Sequence, residues 1–515
     1  MLHKGLAQTI SDTTTLTLLP GEHWWGGVVR DGHLMPFDSA YSIDLWANNQ
    51  GNQIQPLLLS DKGRVIWSES PIKYAIASGT IKVASYGSEI KFAHPDRSRT
   101  LKDAFQYASQ KYFPASGKLP HQLLFTKPQY NTWIELTYNQ NQNDILTYAN
   151  KIVENGLPAG VLMIDDNWQE NYGKWQFHPG RFHDPKLMID SLHQLGFKVM
   201  LWICPFVSAD SDIYRALESK GYFINEVDTK LPLIVRWWNG ASAVLDFTNP
   251  GAVRWFQEQL RSLSDTYNVD GFKFDAGDSY FYKDPLKSFK EVTPNEHTLL
   301  FQQFGLDYPL NEYRATWKMG GQPLVQRLHD KGHNWNDLQK LVPQIALQGI
   351  LGYPFNCPDM IGGGEYGSFI NLDAVDQELV VRSAQVHALM PMMQFSVAPW
   401  RVLDDRHFEI VKKAVEVRDQ YLPVILDLVE KAAQNGEPVV RLMEYEFPGQ
   451  GYHQIKDHFM LGRDILVAPV LQQGITTRAV VLPKGNWEWK GKTYKGGKTI
   501  NIQVDLEDIP VFSRK

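Results

Sequence analysis

The sequence predicts an α/β protein: a (β/α)8 TIM barrel over residues 118–435, an N-terminal β-sandwich over 1–117 and a small C-terminal β-domain over 436–515. Three observations predict it. Strand and helix patterns alternate from about residue 120 to about 420. The strands in that stretch are nearly continuous apolar runs, as in a parallel sheet covered by helices. Short alternating runs without long helices flank the stretch on both sides, and 515 residues are too many for a single core.

The N-terminal runs Thr14-Thr15-Leu16-Thr17-Leu18-Leu19 and Ile81-Lys82-Val83-Ala84-Ser85-Tyr86 lie between turns rich in Gly, Asn, Asp and Ser. In the central stretch, residues 130–136 read as a strand and 143–153 as a helix. Gly160-Val161-Leu162-Met163-Ile164-Asp165 follows, then a helix around Pro185–Leu195 and the strand Lys198–Ile203. A third helix over Gly251–Tyr267 leads into Val269-Asp270-Gly271-Phe272-Lys273-Phe274-Asp275. No glycine-rich phosphate loop follows any of these strands, which argues against a doubly wound nucleotide-binding sheet. Beyond a helix at 406–433, strands are expected at 464–471 and 479–482.

Composition narrows the partners. A net charge of −6 without a basic block lacks the electrostatic footprint of nucleic-acid binding. No run reaches the ~20 apolar residues of a membrane-spanning helix. The N-terminus has no apolar stretch of signal-peptide type, and a trimmed export signal would leave the same sequence, so the compartment stays open. Cys204 and Cys357 are expected as buried thiols. No cofactor is implied. His329 and His333 have helix-like spacing but no third partner, so no metal site is expected. Oligomeric state is not legible. Sixteen Trp and twenty-two Tyr, many beside acidic or Asn residues, suit the flat faces and hydroxyl rims of sugars.

Several predicted barrel strands end on a carboxylate or an aromatic: Asp165-Asp166, Trp202, Asp275 and later Asp359. In a barrel those ends ring one mouth, where active sites sit. Asp275 follows Lys273 by two residues, so both side chains face the same way. A neighbouring cation favours the carboxylate form that a nucleophile needs. A buried structural ion pair would show the same spacing.

Gly271-Phe272-Lys273-Phe274-Asp275-Ala276-Gly277-Asp278 resembles the nucleophile motif of glycoside hydrolase family 31. Val244-Leu245-Asp246-Phe247-Thr248-Asn249-Pro250 and Pro358-Asp359-Met360-Ile361-Gly362-Gly363 resemble segments of the same family, in the same order. The resemblance implies a retaining glycosidase acting on an oligosaccharide or glycoside, with Asp275 as nucleophile. The family's acid/base Asp lies five residues before a Trp that opens a helix, which here falls on Asp330 before Trp335. The Trp-Ser-Gly that usually precedes it is absent, Leu328-His329 standing there instead. Asp337, at the start of the same helix, is the rival and suits a first-turn position.

The resemblance also implies a substrate-binding set of Asp165, Asp166, Trp202, Lys273, Arg327 and Asp359. Asp165 and Asp166 would grip a terminal sugar's hydroxyls, Trp202 would stack on its face, and Arg327 would donate to a hydroxyl or support Asp275. Trp24 or Trp25 would reach the rim from the sandwich. Gly21–Gly27, Ile164–Gln169 and Pro358–Gly363 resemble the α-galactosidase-like branch most closely, and Met390–Ser396 replaces the Arg-Asn-His stretch of typical α-glucosidases. α-Galactosidase is therefore the expectation, with α-glucosidase or transglycosylase of the same family as the alternative; a non-catalytic sugar-binding protein would lack one of the two Asp residues.

Overall fold

The computed structural model describes residues 9–515 apart from 38–39, 49–50, 283–284, 371 and 373. At its centre stand eight parallel strands: β1 (Gln129–Asn131), β2 (Val161–Ile164), β3 (Lys198–Ile203), β4 (Gly271–Phe274), β5 (Leu310–Tyr313), β6 (Gln326–Arg327), β7 (Asn356–Cys357) and β8 (Gln394–Phe395). They neighbour one another in chain order, with β8 beside β1. A parallel bridge from Met360 to Gln394 joins the last two strands and completes the ring.

Helices follow most strands: α1 (Gln142–Glu154), α2 (Pro185–Gln194), α3 (Pro250–Tyr267), α4 (Pro294–Gln302), α5 (Trp335–Ile350), α6 (Gln377–Ala388) and α7 (Asp405–Asn435). Their starts are encoded locally. Asn141, Asp184, Asn249, Thr293, Asn334, Asp376 and Asp404 each accept a first-turn backbone N–H, and Pro opens three of the helices.

Two details depart from the sequence expectations. The strand expected over 130–136 ends at Asn131, because Asn131 Oδ1 accepts the Trp133 N–H at 2.8 Å and turns the chain into a short helix at Trp133–Leu136. The full (β/α)8 repeat is also interrupted, since no helix lies between β5 and β6. There Thr316–Trp317 pairs in parallel with Gln53–Ile54 of the N-terminal region. Gln53 Nε2 donates to the carbonyls of Arg314 and Arg327 at 2.7 and 2.8 Å, and Tyr353 OH to that of Ile54 at 3.1 Å. The N-terminal sheets thus cover the side of the barrel that a helix leaves open.

Those sheets have the strand orders Asp12–Thr17, Thr80–Ser85, Ile72–Ala77, Tyr41–Asp44 and Trp24–Val28, Gln53–Ser60, Val65–Ser68, Ile90–Ala93. C-terminal to α7, a six-stranded sheet and a two-stranded one enclose a separate apolar cluster around Trp487 and Phe512. Among the described residues no helix is long and apolar enough to cross a membrane. Cys204 and Cys357 are buried free thiols.

Candidate active site

A cavity of about 610 Å³ opens at the C-terminal ends of the barrel strands, a size ordinary for small-molecule sites. The layer at and beneath its floor is built by register. Trp202 on β3, Lys273 on β4 and Glu312 on β5 are aligned partners, so their side chains share one layer inside the barrel. Two residues further, Asp275 and Arg314 form the next layer. The Arg314 Nε–H donates to Asp275 Oδ1 at 2.9 Å, and the Trp202 indole N–H to Asp275 Oδ2 at 3.1 Å. Ala276, at φ +55°, and Gly277, at φ +69°, turn the chain away sharply behind Asp275, and the Ala276 N–H adds a 2.8 Å bond to Oδ1. Burial alone would raise the Asp275 pKa. The charges of Arg314, Lys273 and Arg327, with the Ala276 N–H, outweigh it and hold the carboxyl below the usual range.

Arg314 was not anticipated from the sequence. Its guanidinium also spans Asp278, at 3.1 and 2.8 Å, and donates to the Gly51 carbonyl at 2.8 Å. Lys273 is likewise placed differently than expected. Its Nζ reaches Asp165 Oδ2 at 2.7 Å, so Asp165 is its direct partner and Arg314 is that of Asp275. Asp166, beside Asp165, accepts from Tyr172 OH at 2.9 Å and from the Asn239 side-chain amide. Burial and then the Asp165 charge push Asp166 up to about 7, against the pull of Tyr172. Asp165, Asp166, Trp202 and Lys273 all line the cavity. Trp202 is buried, and its ring lies nearly parallel to that of Trp237, with centroids 6.3 Å apart.

Asp330 lines the same cavity from the loop after β6. Its side chain is 41 % exposed, against 12 % for Asp275. Arg327 Nη1 lies 2.6 Å from Asp330 Oδ1 and 2.7 Å from Asp359 Oδ1. The rival Asp337 accepts the Gly332 N–H at 2.7 Å and pairs with Lys340 at 2.9 Å at the start of α5, and it does not line the cavity. Asp359, expected to touch substrate, stands behind Arg327 instead. It is fully buried, does not line the cavity, and its Oδ2 accepts the N–H groups of Lys331 and Gly364 at 2.7 and 3.1 Å.

Trp24 and Trp25 are buried in their sheet and do not line the cavity. The N-terminal region supplies Arg30, Asn48 and Gly51 instead. Aromatic residues rim the mouth: Trp133, Tyr138 and Tyr366 pack on one another, and Trp238 covers the Arg314 guanidinium at 5.7 Å. Within the 390–396 stretch, Gln394 turns into the barrel, where its amide N–H donates to Glu312 Oε2 at 2.8 Å.

A barrel whose strand ends gather paired carboxylates, cations and aromatic faces into one cavity has the layout of a sugar-processing enzyme. The chain belongs to glycoside hydrolase family 31: the TIM-barrel domain of that family matches residues 124–428, and its C-terminal domain matches residues 436–515. It is similar to the mouse myogenesis-regulating glycosidase, 35 % identical over 421 residues that make up 79 % of this chain and 58 % of the relative. It is also similar to alpha-glucosidase 2 of Bacillus thermoamyloliquefaciens, 26 % identical over 410 residues, 73 % of this chain and 51 % of that one. The chain thus spans a little over half the length of these relatives. In fold it is similar to the Flavobacterium johnsoniae dextranase solved with glucose, at TM-score 0.85 and 20 % identity, covering 99 % of this chain and 68 % of the dextranase. The names of these relatives do not carry the α-galactosidase branch that the motifs resemble.

Proposed function

We propose that this chain is a retaining, exo-acting α-glycosidase that removes a terminal α-linked galactose, with Asp275 as nucleophile and Asp330 as acid/base. The observation that carries the mechanism is Asp275 itself. It is a cavity-floor carboxylate kept ionised by Arg314 and oriented by the Trp202 N–H. An ionised oxygen fixed from two sides is ready to attack an anomeric carbon. Asp330, the more exposed carboxyl, lines the same cavity and is the second carboxyl group that the mechanism needs.

In the first step Asp275 forms a bond to the anomeric carbon as the glycosidic C–O bond breaks, and the leaving oxygen takes the Asp330 proton. In the second, Asp330 removes a proton from water, the water oxygen bonds to the anomeric carbon, and the bond to Asp275 breaks. Two inversions return the α configuration. The paired Asp165 and Lys273 line the cavity within the barrel, in keeping with a pocket closed at one end as exo action requires. Asp166 lines the cavity and can accept from or donate to that sugar's hydroxyls, with Tyr172 and Asn239 holding it from behind.

The galactose preference rests on the motif segments 21–27, 164–169 and 358–363 and on the stretch Met390–Ser396, which replaces Arg-Asn-His. A second reading, α-glucosidase, is favoured by the relative that bears that name. Hydrolysis of paired p-nitrophenyl α-galactoside and α-glucoside separates them. Faster cleavage of the galactoside supports the preference. Faster cleavage of the glucoside overturns the sugar and keeps the mechanism, provided that Asp275→Asn removes the activity.

A further inference from the structure

Arg327 stands at the end of β6 among three carboxylates. Its Nη1 contacts Asp330 and Asp359 as described, and its Nε lies 3.3 Å from Glu312 Oε1. That last contact is ionic, because its angle leaves both atoms without a hydrogen bond. Nη1 also donates to the Leu328 carbonyl at 3.1 Å. The side chain is only 1 % exposed. Its Nη1 and Nε are thus turned to protein groups, while the side chain borders the cavity beside Asp330.

The two carboxylates behind it are themselves fixed. Glu312 is held by Gln394 from β8, and Asp359 by two backbone N–H groups of neighbouring loops. Asp359 takes φ +90°, a backbone region unfavourable to a side chain, and a Cβ on Gly364 would come within 2.7 Å of its Oδ1. Strain of this kind persists only where the surroundings demand it. Neither Glu312 nor Asp359 lines the cavity, so neither touches substrate.

We propose that Arg327 is a positioning residue that aims Asp330 at the leaving group, and that Glu312 and Asp359 hold Arg327 and share its charge. This rests on the reading of Asp330 as acid/base. A guanidinium bound to Asp330 alone would oppose the protonated form that a general acid needs. Shared among three carboxylates, the same cation fixes the position of Asp330 while directing less of its charge at that one carboxyl group. The other charged or titratable groups facing this cluster are Asp165 after β2, Lys273 and Asp275 on and after β4, Arg314 after β5, His329, Lys331 and Asp337 after β6, Cys357 on β7, and Arg30 from the N-terminal region. Burial, then the Lys331 charge, hold His329 neutral, so it does not substitute for Arg327.

The test compares kcat/KM for a methyl glycoside, whose leaving group needs acid help, with that for the matching glycosyl fluoride, whose leaving group does not. The sugar is whichever of galactose and glucose the enzyme cleaves faster. Arg327→Gln and Glu312→Gln are each expected to slow the methyl glycoside ~100-fold and the fluoride less than ~3-fold, the span of a mispositioned general acid. The alkaline limb of kcat/KM is expected to move in opposite directions: to higher pH in Arg327→Gln, where a cation is lost, and to lower pH in Glu312→Gln, where an anion is lost. Arg327→Lys, which keeps the charge, restores part of the loss and serves if Arg327→Gln does not fold. Equal slowing of both substrates, or unchanged limbs, overturns the proposal. Asp330→Asn in parallel keeps the two readings distinguishable. If Asp330→Asn itself slows both substrates alike, the acid/base reading fails; if it discriminates and the Arg327 and Glu312 variants do not, the positioning role alone fails.

Discussion

Asp275 and Arg314 each stand two residues beyond the register partners Lys273 and Glu312 of neighbouring parallel strands, and their side chains meet at 2.9 Å. Lys-x-Asp on β4 therefore lies beside Glu-x-Arg on β5, with a charge of opposite sign opposite each member. The crossed pairing puts a cation against the proposed nucleophile without placing it on the same strand.

The first consequence concerns pH. Arg314 is the leading cation that holds Asp275 below the ordinary carboxylate range, which centres at ~3.9. A depressed carboxyl stays ionised as pH falls to mildly acidic values, so Asp275 does not set the acid limb of kcat/KM there. In Arg314→Gln that limb is expected to move to higher pH. A pH–rate profile of the two proteins measures it.

Trp202 provides a milder perturbation. Trp202→Phe keeps an aromatic ring over the floor and deletes the N–H that holds Asp275 Oδ2. A hydrogen bond to a charged group contributes about 1.5–3 kcal/mol, which corresponds to a ~10–100-fold fall in kcat/KM. Steady-state kinetics checks this, and an unchanged rate would show that Arg314 and Ala276 orient Asp275 unaided.

Asp166 is expected to make substrate binding pH-dependent. Burial and the Asp165 charge bring it to about 7, so it is an acceptor above neutrality and gains a proton to donate below it. KM should therefore vary between about pH 6 and 8 in the native protein. Asp166→Asn, which resembles the protonated form, is expected to flatten that variation. KM measured across this range in both proteins decides it.

Gly271 predicts a folding effect rather than a kinetic one. A Cβ at this position would lie 2.0 Å from the Leu310 backbone oxygen of the adjacent strand. Gly271→Ala must spread β4 from β5 and is expected to cost ~3 kcal/mol or more, read as a lower thermal midpoint or insoluble protein.

The barrel and its carboxylate-bearing strand ends were legible in the sequence because period and strand length are local signals. Asp165, Asp166, Trp202, Lys273 and Asp275 gather at one mouth for that reason. Arg314 also follows a barrel strand but carries no such local signal, because Leu310-Asn311-Glu312-Tyr313 is not an apolar run. Its inward Glu312 and outward Asn311 are both polar, which breaks the apolar signal. The depth of Asp359 is not legible, because a strand end says which mouth a residue belongs to and not how deep it lies. Likewise, Trp24 and Trp25 carry no local mark that separates a core indole from a rim one. Arg30, Asn48 and Gly51 reach the cavity through docking of the N-terminal sheets on the open side between β5 and β6, a long-range event without sequence periodicity.

The claim that Asp275 is the nucleophile is tested most directly by trapping. The protein is incubated with a 5-fluoro-α-glycosyl fluoride of galactose and, separately, of glucose, then digested and mapped by mass spectrometry. A glycosyl ester on the peptide containing Asp275, absent in Asp275→Asn, is the predicted result. A label on another carboxylate, or turnover that persists in Asp275→Asn, would contradict it.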